Sequence, residues 1–375
     1  MIHKMLIVCA GVLAAACFAC VPPPPPPPPV GAAASTCDAT QFLAKAFFLA
    51  PGFDPTATGG NYQPPLANGP VTADTNIGKD LAAAFCLADP LVQQQLLRLT
   101  AVFINQATCT PAGACGSWGF RERPDQQPGT GRYIALSATL WPDSGSPAMS
   151  YSAYENARLS GLLAWPSAGG PTYTPPTGSQ SDGSGMTVLS ALAHEYGHVL
   201  WYDVLKVNGN YNFNNLCGSE FFTKFWFTKH PPKPWRDFQN RSRRKVDGVV
   251  DKHRYPPQIK DIDDAIERND LLTAISEIAQ LYATQAPWAS FLGAVSVDED
   301  FVETFTLDTL DQAAVQGGFV LTLPLKLSNT SAPDIPNDYF NGYKGDLQHK
   351  ADCIVDALPA PLSLKAQRRR SRVPH

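Results

Sequence analysis

Two histidines and a glutamate lie within five residues of one another, in the order His194-Glu195-Tyr196-Gly197-His198. An α-helix places residues i and i+4 on one face, so the imidazoles of His194 and His198 can converge on one metal ion. Glu195 is rotated by about 100° from His194, which directs its carboxylate to the open side of such an ion. There it could act as the general base that takes a proton from an attacking water. The pattern H-E-x-x-H is typical of zinc hydrolases.

The residues around this motif predict the helix that the chemistry needs. Apolar residues recur at helical spacing on both sides of it: Val188, Leu189, Leu192, Val199 and Leu200. Gly197 lies in the middle of this helix at a cost of about 1 kcal/mol relative to alanine, which predicts that another element packs closely against it. A pair of structural histidines in the core is the alternative interpretation.

The third metal ligand lies outside this helix. A metzincin would carry glycine three residues and histidine six residues after His198, where this chain has Trp201 and Val204. That class is therefore excluded. A snapalysin-type aspartate would occupy position 204, whereas Asp203 is one residue early and about 100° away on the helix. We therefore look for the third ligand further along the chain.

A second pair of candidate ligands lies in an acidic segment about 100 residues downstream. Glu299 and Glu303 are again i and i+4, so a helix would carry both carboxylates on one face. Together with the H-E-x-x-H motif, this segment resembles the glutamate helix of gluzincins, the thermolysin-like clan, and is most similar to lethal factor-like catalytic domains and related exported bacterial metallopeptidases. The resemblance implies one site: zinc bound by His194, His198 and Glu299, with Glu195 as general base and Glu303 accepting the free ring N–H of His194.

Several other polar residues remain open as members of this site. Asp298 and Asp300 are the nearest competitors for the third ligand, and a solvated acidic helix face is the alternative interpretation of the segment. Gluzincins also use a tyrosine or histidine to stabilise the oxyanion of the tetrahedral intermediate. The candidates for this role stay open: Tyr282, Tyr339, Tyr343 and His349.

The N-terminal segment predicts export. Residues 1–20 combine a short basic start with an apolar run that ends in small residues, which is typical of a signal peptide and too short for a permanent membrane span. The sequence Leu-Ala-Ala-Ala-Cys ending at Cys17 resembles a bacterial lipobox, so membrane anchoring through a lipidated Cys17 and ordinary signal cleavage both remain open. Residues 21–36 contain eight consecutive prolines and predict a polyproline II spacer of about 25 Å.

The nine cysteines fit an oxidising compartment. Three belong to the export segment, which leaves six: Cys37, Cys86, Cys109, Cys115, Cys217 and Cys353. An even number in an exported chain predicts up to three disulfides, with Cys109 and Cys115 as the one local pairing. Because no C-x-x-C pair occurs among these six cysteines, we do not expect them to bind zinc.

We expect one catalytic domain over residues 37–362, with an insertion at about 205–290 between the two ligand segments and a basic, disordered tail at 363–375. The resemblance implies a zincin-like α+β fold, mostly helical, with a small mixed sheet whose edge strand flanks the active-site helix. A further helix is predicted to start near Asp89 and Pro90, since proline is well tolerated in a first turn.

Two segments are candidates for that edge strand. Residues 132–141 alternate in hydrophobicity, as a half-buried strand does, and residues 157–165 form an apolar segment closer to the motif. In zincins the edge strand beside the motif helix pairs with the extended substrate. A core strand is the alternative interpretation of either segment.

These features together predict an exported zinc-dependent metallopeptidase that acts on peptide or protein substrates. A surface lipoprotein that uses a catalytically weak zincin scaffold for binding is the alternative, and a hydrolase of non-peptide amides is a third. A formal net charge of −4 argues against a nucleic-acid partner, although the chain has two local basic runs. The oligomeric state stays open.

Overall fold

The computed structural model describes residues 37–54, 59–106, 116–122, 129–142, 145–151, 153–154, 183–207, 210–221, 297–317 and 346–371, with short pieces between 261 and 293. The predicted export signal and spacer, most of the predicted insertion, and the candidate strand at 157–165 lie outside the described residues. Within the described part of the chain, no helix is both long enough and apolar enough to cross a membrane.

The described chain is α+β, as predicted, with helices and a small mixed sheet. The helices are α1 (Thr40–Leu43), α2 (Asn76–Leu87), α3 (Pro90–Leu96), α4 (Ser184–Leu205), α5 (Val297–Gly317), α6 (Asp346–Ala357) and α7 (Leu362–Ser371). The strands are β1 (Ala46–Leu49), β2 (Ala67–Pro70), β3 (Ala101–Asn105), β4 (Trp118–Arg121), β5 (Arg132–Ser137), β6 (Lys206–Val207) and β7 (Asn210–Tyr211). We call α4 the motif helix and α5 the glutamate helix.

Five strands form the main sheet in the order β2-β1-β3-β5-β4. Strands β1, β3 and β5 are parallel, while β2 and β4 run antiparallel at the two edges. Because side chains alternate along a strand, each face of the sheet has its own apolar set. One face joins the helices in the main core through Val102, Ile104, Ile134 and Leu136, and the other forms an aromatic cluster with Tyr62, Phe103, Phe120 and Tyr133.

The strand predicted at 132–141 is present, but it is not the edge strand. It forms β5, which ends at Ser137 and pairs with β3 on one side and β4 on the other. Five of its six residues are buried, because both faces of the sheet are covered at this strand. The edge strand beside the motif helix is instead β4, a four-residue strand that the sequence analysis did not identify.

The helix predicted near Asp89 and Pro90 is confirmed as α3. Asp89 is its N-cap, and its Oδ1 accepts hydrogen bonds from the backbone N–H groups of Leu91 and Val92 at 2.8 and 3.4 Å. The helix ends at Leu96, so that residues 101–105 can form the fully buried strand β3.

The prediction of a disordered tail was wrong for residues 363–371, which continue α7 to Ser371. Arg368 is buried, and its guanidinium contacts carboxylates of Asp89 and Asp308 at 2.7 Å each. Arg369, its neighbour, is directed outwards and pairs with Asp356. A basic run therefore serves both the core and the surface, because the helical turn separates adjacent side chains by about 100°.

Two disulfides confirm the prediction that cysteines pair in this chain. Cys37 and Cys86 join the segment before α1 to α2, and Cys217 and Cys353 join the turn after the motif helix to α6. Cys109 and Cys115, the pair expected from spacing, lie outside the described residues.

Candidate metal centre

The motif helix is confirmed, and the core encloses it along most of its 22 residues. Tyr196, one of the two variable positions of the motif, is fully buried, and its hydroxyl donates to Oε1 of Gln95 on α3 at 3.3 Å. Burial raises the pKa of Tyr196, which keeps this hydroxyl protonated as a donor. On the same helix, the ring of Trp201 packs edge-on against Phe301 of the glutamate helix, with centroids 5.4 Å apart.

The two motif histidines lie on one face of this helix, as their spacing requires. Their ring centroids are 5.0 Å apart, with the planes nearly perpendicular. A carboxylate oxygen of Glu195 lies within 4.8 Å of ring nitrogens of both His194 and His198. Glu195 and His194 are almost completely buried, at 5% and 8% exposure, whereas the side chain of His198 is 24% exposed, so the group opens to solvent on the His198 side.

The glutamate helix brings two carboxylates to the same place. Oε1 of Glu303 lies 2.6 Å from Nδ1 of His194. The two oxygens of Glu299 lie 3.8 Å from Nε2 of His194 and 3.7 Å from Nε2 of His198. Because a carboxylate at Nδ1 favours the tautomer that is protonated there, Nε2 of His194 is left with its lone pair directed at the Glu299 side.

The motif helix and the glutamate helix pack closely against each other at Gly197. A Cβ at this position would lie 3.1 Å from both Cα and Cγ1 of Val302. The expected close packing at this glycine is therefore confirmed. The crossing point is one residue away from His198 and one residue away from Glu303, so the two helices meet beside the candidate ligands.

The edge strand β4 touches the motif helix at a second glycine. A Cβ on Gly119 would lie only 1.7 Å from the backbone oxygen of Glu195 and 3.1 Å from Cβ of His198. Such a side chain could not be accommodated without moving the backbone. The absence of a side chain thus lets the strand run directly alongside the candidate base and the second histidine. Sequence reasoning missed this strand, although the alternation in Trp118-Gly-Phe-Arg is a weak signal for it.

Asp203, which the spacing excluded as a ligand, ties this strand to the helix. Its Oδ1 accepts a hydrogen bond from Nε of Arg121 on β4 at 3.0 Å, and its Oδ2 accepts one from Nε of Arg132 on β5 at 2.6 Å. Charge-assisted hydrogen bonds of this kind are about twice as strong as neutral ones. The carboxylate therefore anchors the ends of two strands to the C-terminal part of the motif helix.

Asp300, the nearest competitor for the third ligand, is directed elsewhere. Its two oxygens lie 2.9 and 2.7 Å from Nζ of Lys350 on α6. Burial lowers the pKa of Lys350, while the charge of Asp300 opposes that shift. Among the residues that the structure describes, neither Asp298 nor Asp300 belongs to a group that could hold a metal ion. The sequence contains no signal for the role of Lys350, because a lone lysine in a helix is ordinarily exposed.

A second group of possible ligands consists of Cys217, Cys353 and His349. The two sulfurs are joined in a disulfide, so neither is a thiolate that could bind a metal. His349 lies beside this disulfide, with Nε2 3.3 Å from a carboxylate oxygen of Glu220 and 3.8 Å from Sγ of Cys353. The other candidates for oxyanion stabilisation lie outside the described residues: Tyr282, Tyr339 and Tyr343.

Comparison with known proteins yields no match among family models, curated proteins or solved structures. The chemistry of this centre therefore follows from its own geometry. That geometry brings histidine and glutamate side chains from two helices into groups that could hold a metal ion.

Proposed function

We propose that this chain is an exported zinc-dependent metallopeptidase of the gluzincin type, with Glu195 as the general base. The observation that carries the proposal is the position of Glu299, whose two oxygens face Nε2 of both motif histidines at 3.8 and 3.7 Å. Two helices, distant in the sequence, thus converge on one point with the three donors that the resemblance implies: His194, His198 and Glu299.

The donor set fits zinc in type, and its spacing is close to the spacing that zinc requires. Imidazole nitrogen and carboxylate oxygen are both zinc ligands, with bonds of about 2.0–2.1 Å. Tetrahedral geometry with such bonds separates two donors by roughly 3.4 Å. The two observed separations are a few tenths of an ångström larger and involve different oxygens of Glu299, so the Glu299 carboxylate would have to move inward and turn to bring one oxygen to the metal held by both histidines. Three protein ligands leave one position open, which is the arrangement of a catalytic rather than a structural zinc.

The residues around this site would have separate roles in peptide hydrolysis. When bound, zinc would act as a Lewis acid that polarises the scissile carbonyl and lowers the pKa of water to about 7. Glu195 would take the proton as the water oxygen attacks the carbonyl carbon, and would return it to the nitrogen as the C–N bond breaks. Glu303 would hold His194 in the correct tautomer and orientation throughout.

The edge strand β4 supports a peptide as the substrate. Its four residues pair with β5 on one side, and it is the last strand of the sheet that the structure describes. Gly119 places this strand against the backbone of Glu195. An extended peptide that added to the outer edge of β4 would therefore pass alongside the candidate base. Gluzincins bind substrates in this manner, so we assign to β4 the role expected of the segments at 132–141 or 157–165.

The remaining features are consistent with a zincin-like fold outside the cytoplasm. A mixed sheet with an antiparallel edge strand beside the motif helix, and a second helix with two glutamates, is the arrangement that the resemblance implies. The disulfides Cys37–Cys86 and Cys217–Cys353 favour an oxidising compartment. Both forms of export, a lipidated Cys17 and free secretion, remain compatible with this proposal.

Zinc content and peptide cleavage, measured on the same purified proteins, test the proposal. We expect one zinc per chain by elemental analysis, and cleavage of a broad peptide library that a chelator abolishes and added zinc restores. Glu299→Ala should lose most of the zinc. Glu195→Gln should keep the zinc but lose cleavage by about 100-fold or more, because it removes the general base.

Glu220→Gln provides the matched control, since this half-exposed carboxylate lies at the disulfide Cys217–Cys353 rather than among the candidate ligands. It should change neither zinc content nor cleavage. Wild-type cleavage by zinc-loaded Glu195→Gln would overturn the assignment of the base. One zinc per chain without cleavage of any peptide would favour the surface-binding alternative.

A further inference from the structure

A buried ion pair lies directly beside the candidate metal ligands. Asp300 on the glutamate helix and Lys350 on α6 are both fully buried, and both oxygens of Asp300 contact the same ammonium, at 2.9 and 2.7 Å. The ammonium also lies 4.1 Å from the ring centroid of Trp288 and 5.6 Å from that of Phe221. Cation–π contacts of this length stabilise a desolvated ammonium. Lys350 is thus fixed on several sides.

Net stability alone does not explain why a buried ion pair is present at this position. Removing two charges from water costs several kcal/mol per ion, and an apolar pair of similar volume is often as stable or more stable. An ion pair differs from apolar packing in that its hydrogen bonds fix direction. Asp300, whose direction the pair fixes, immediately follows Glu299 and precedes Glu303 by about one turn. Any rotation of the glutamate helix that displaced these two carboxylates would also stretch the contact between Asp300 and Lys350.

The other end of the pair is also rigidly supported. Lys350 is three residues from Cys353, so the two lie one turn apart on α6. Cys353 is joined by a disulfide to Cys217, which follows the motif helix in the chain. The helix that carries the histidines is therefore connected through α6 to the helix that carries the glutamates. This connection is independent of the direct crossing of the two helices at Gly197.

We propose that Lys350 is a positioning residue for the metal centre: through Asp300 it fixes the rotation of the glutamate helix that presents Glu299 and Glu303 to His194. This inference rests on the proposed function, because it concerns the same metal site. Lys350 itself does not contact the ligands in this role. It acts through Asp300 and the helix backbone.

The glutamate helix offers a matched control, because a second buried ion pair lies two turns further along it. Asp308 contacts Arg368 of α7 at 2.7 Å, and both side chains are 1% exposed. The double variant Asp300→Asn/Lys350→Met removes one buried pair, and Asp308→Asn/Arg368→Met removes the second pair together with the contact between Arg368 and Asp89. Neither variant leaves an unpaired charge on the glutamate helix. The remaining partner of Arg368, Asp89, keeps its hydrogen bonds to the first turn of α3.

Three measurements on full-length proteins distinguish positioning from general stability. Urea unfolding reports the folded fraction, a chelator with a chromophore reports the rate of zinc dissociation, and substitution with Co²⁺ reports ligand geometry through its visible spectrum. We expect both double variants to fold, and the Asp308→Asn/Arg368→Met control to lose at least as much stability, because it also removes the cation beside Asp89. Only Asp300→Asn/Lys350→Met should release zinc faster, by about 10–100-fold, as is typical when the support of a metal ligand is removed. Only this variant should change the Co²⁺ spectrum.

The single variant Lys350→Met should release zinc at least as fast as Asp300→Asn/Lys350→Met. If the single variant does not fold, the zinc release of the double variant alone tests the inference. Wild-type zinc release from Asp300→Asn/Lys350→Met would overturn the inference, as would equal acceleration in the two double variants. A wild-type protein that binds no zinc would instead overturn the proposed function. The two failures are therefore distinguishable.

Discussion

The motif helix and the glutamate helix cross at Gly197 and Val302, but they are held in the molecule by different forces. Eighteen of the 22 residues of the motif helix are buried, and most of those are apolar. The glutamate helix also faces the core, but its buried side includes many polar groups: Asp300, Glu303, Thr304, Thr306, Asp308, Thr309 and Gln312. Two of these carboxylates pair with cations from the last two helices, α6 and α7.

Apolar burial and buried ion pairs therefore have different roles: the first stabilises the fold, and the second fixes how a helix is oriented. Apolar burial supplies most of the free energy of folding. It needs only apolar side chains of about the right size, so it defines the orientation of a helix less strictly. Directed ion pairs contribute less net stability and instead restrict how a helix is rotated. The histidines therefore depend on the local pattern of their own helix, whereas the glutamates depend on residues 50 or more positions further along the chain.

The largest effect on stability is expected at the disulfide Cys217–Cys353, which connects the two helices over a long range. The variant Cys217→Ser/Cys353→Ser opens a disulfide that spans 136 residues and should lower the free energy of unfolding by about 2–5 kcal/mol, because the unfolded chain gains entropy. It should also weaken zinc binding, since α6 carries Lys350. Urea unfolding and a zinc titration, performed on the same protein, measure the two effects.

The other described disulfide is the control for this prediction. Cys37 and Cys86 span 49 residues, so Cys37→Ser/Cys86→Ser should cost only about 1 kcal/mol less on loop-length grounds. These cysteines join the segment before α1 to α2, and neither element carries Lys350 or Arg368, the cations that pair with the glutamate helix. Zinc affinity should therefore stay at the wild-type value. A loss of zinc affinity in both double variants would mean that stability alone controls the metal site.

The contrast between local and long-range contacts also explains which features can be predicted from the sequence. The motif helix, α3 and β5 follow from local signals: helical spacing, an Asp-Pro start and alternation. The i, i+4 relation between Glu299 and Glu303 also follows from local geometry. Each of these features depends on residues within about two turns or one strand, which is the range over which periodicity carries information.

Features that depend on distant partners, or on a strand too short to show a pattern, could not be predicted. The basic tail reads as a solvated run, and only the carboxylates of Asp89 and Asp308 make the core the better place for Arg368. Likewise, β4 is short and is identified as a strand only by its pairing with β5. The partners of Arg368 lie far away in the sequence, and no local pattern of charge indicates them. The partner of β4 is near in the sequence, but a weak alternation over four residues is too short to identify a strand.

A smaller effect is expected where the edge strand meets the motif helix. Gly119→Ala adds a methyl group where the backbone oxygen of Glu195 would lie only 1.7 Å away. Overpacking of this kind typically costs about 1–3 kcal/mol, and β4 should move away from the site. We expect lower unfolding free energy together with a higher KM for peptides, measured by urea unfolding and steady-state cleavage.

Gly116→Ala is the matched control, because a methyl group there meets no atom within 4 Å. It should leave stability within about 0.5 kcal/mol of wild type and KM unchanged. If Gly119→Ala behaved in the same way, β4 would not be fixed against the motif helix. The assignment of β4 as the substrate strand would then lose its support.

The smallest effect on stability is expected at the crossing of the two helices. Gly197→Ala gains about 1 kcal/mol in helix propensity, but the new methyl group would lie 3.1 Å from Cα of Val302, so the helices must separate by a few tenths of an ångström. These terms oppose each other, and the free energy of unfolding should change by less than about 1 kcal/mol. Zinc release should nevertheless become several-fold faster, because His198 and Glu303 are adjacent to the crossing. A stabilised Gly197→Ala variant that releases zinc at the wild-type rate would indicate that the ion pairs of the glutamate helix, and not its contact with the motif helix, set the ligand distances.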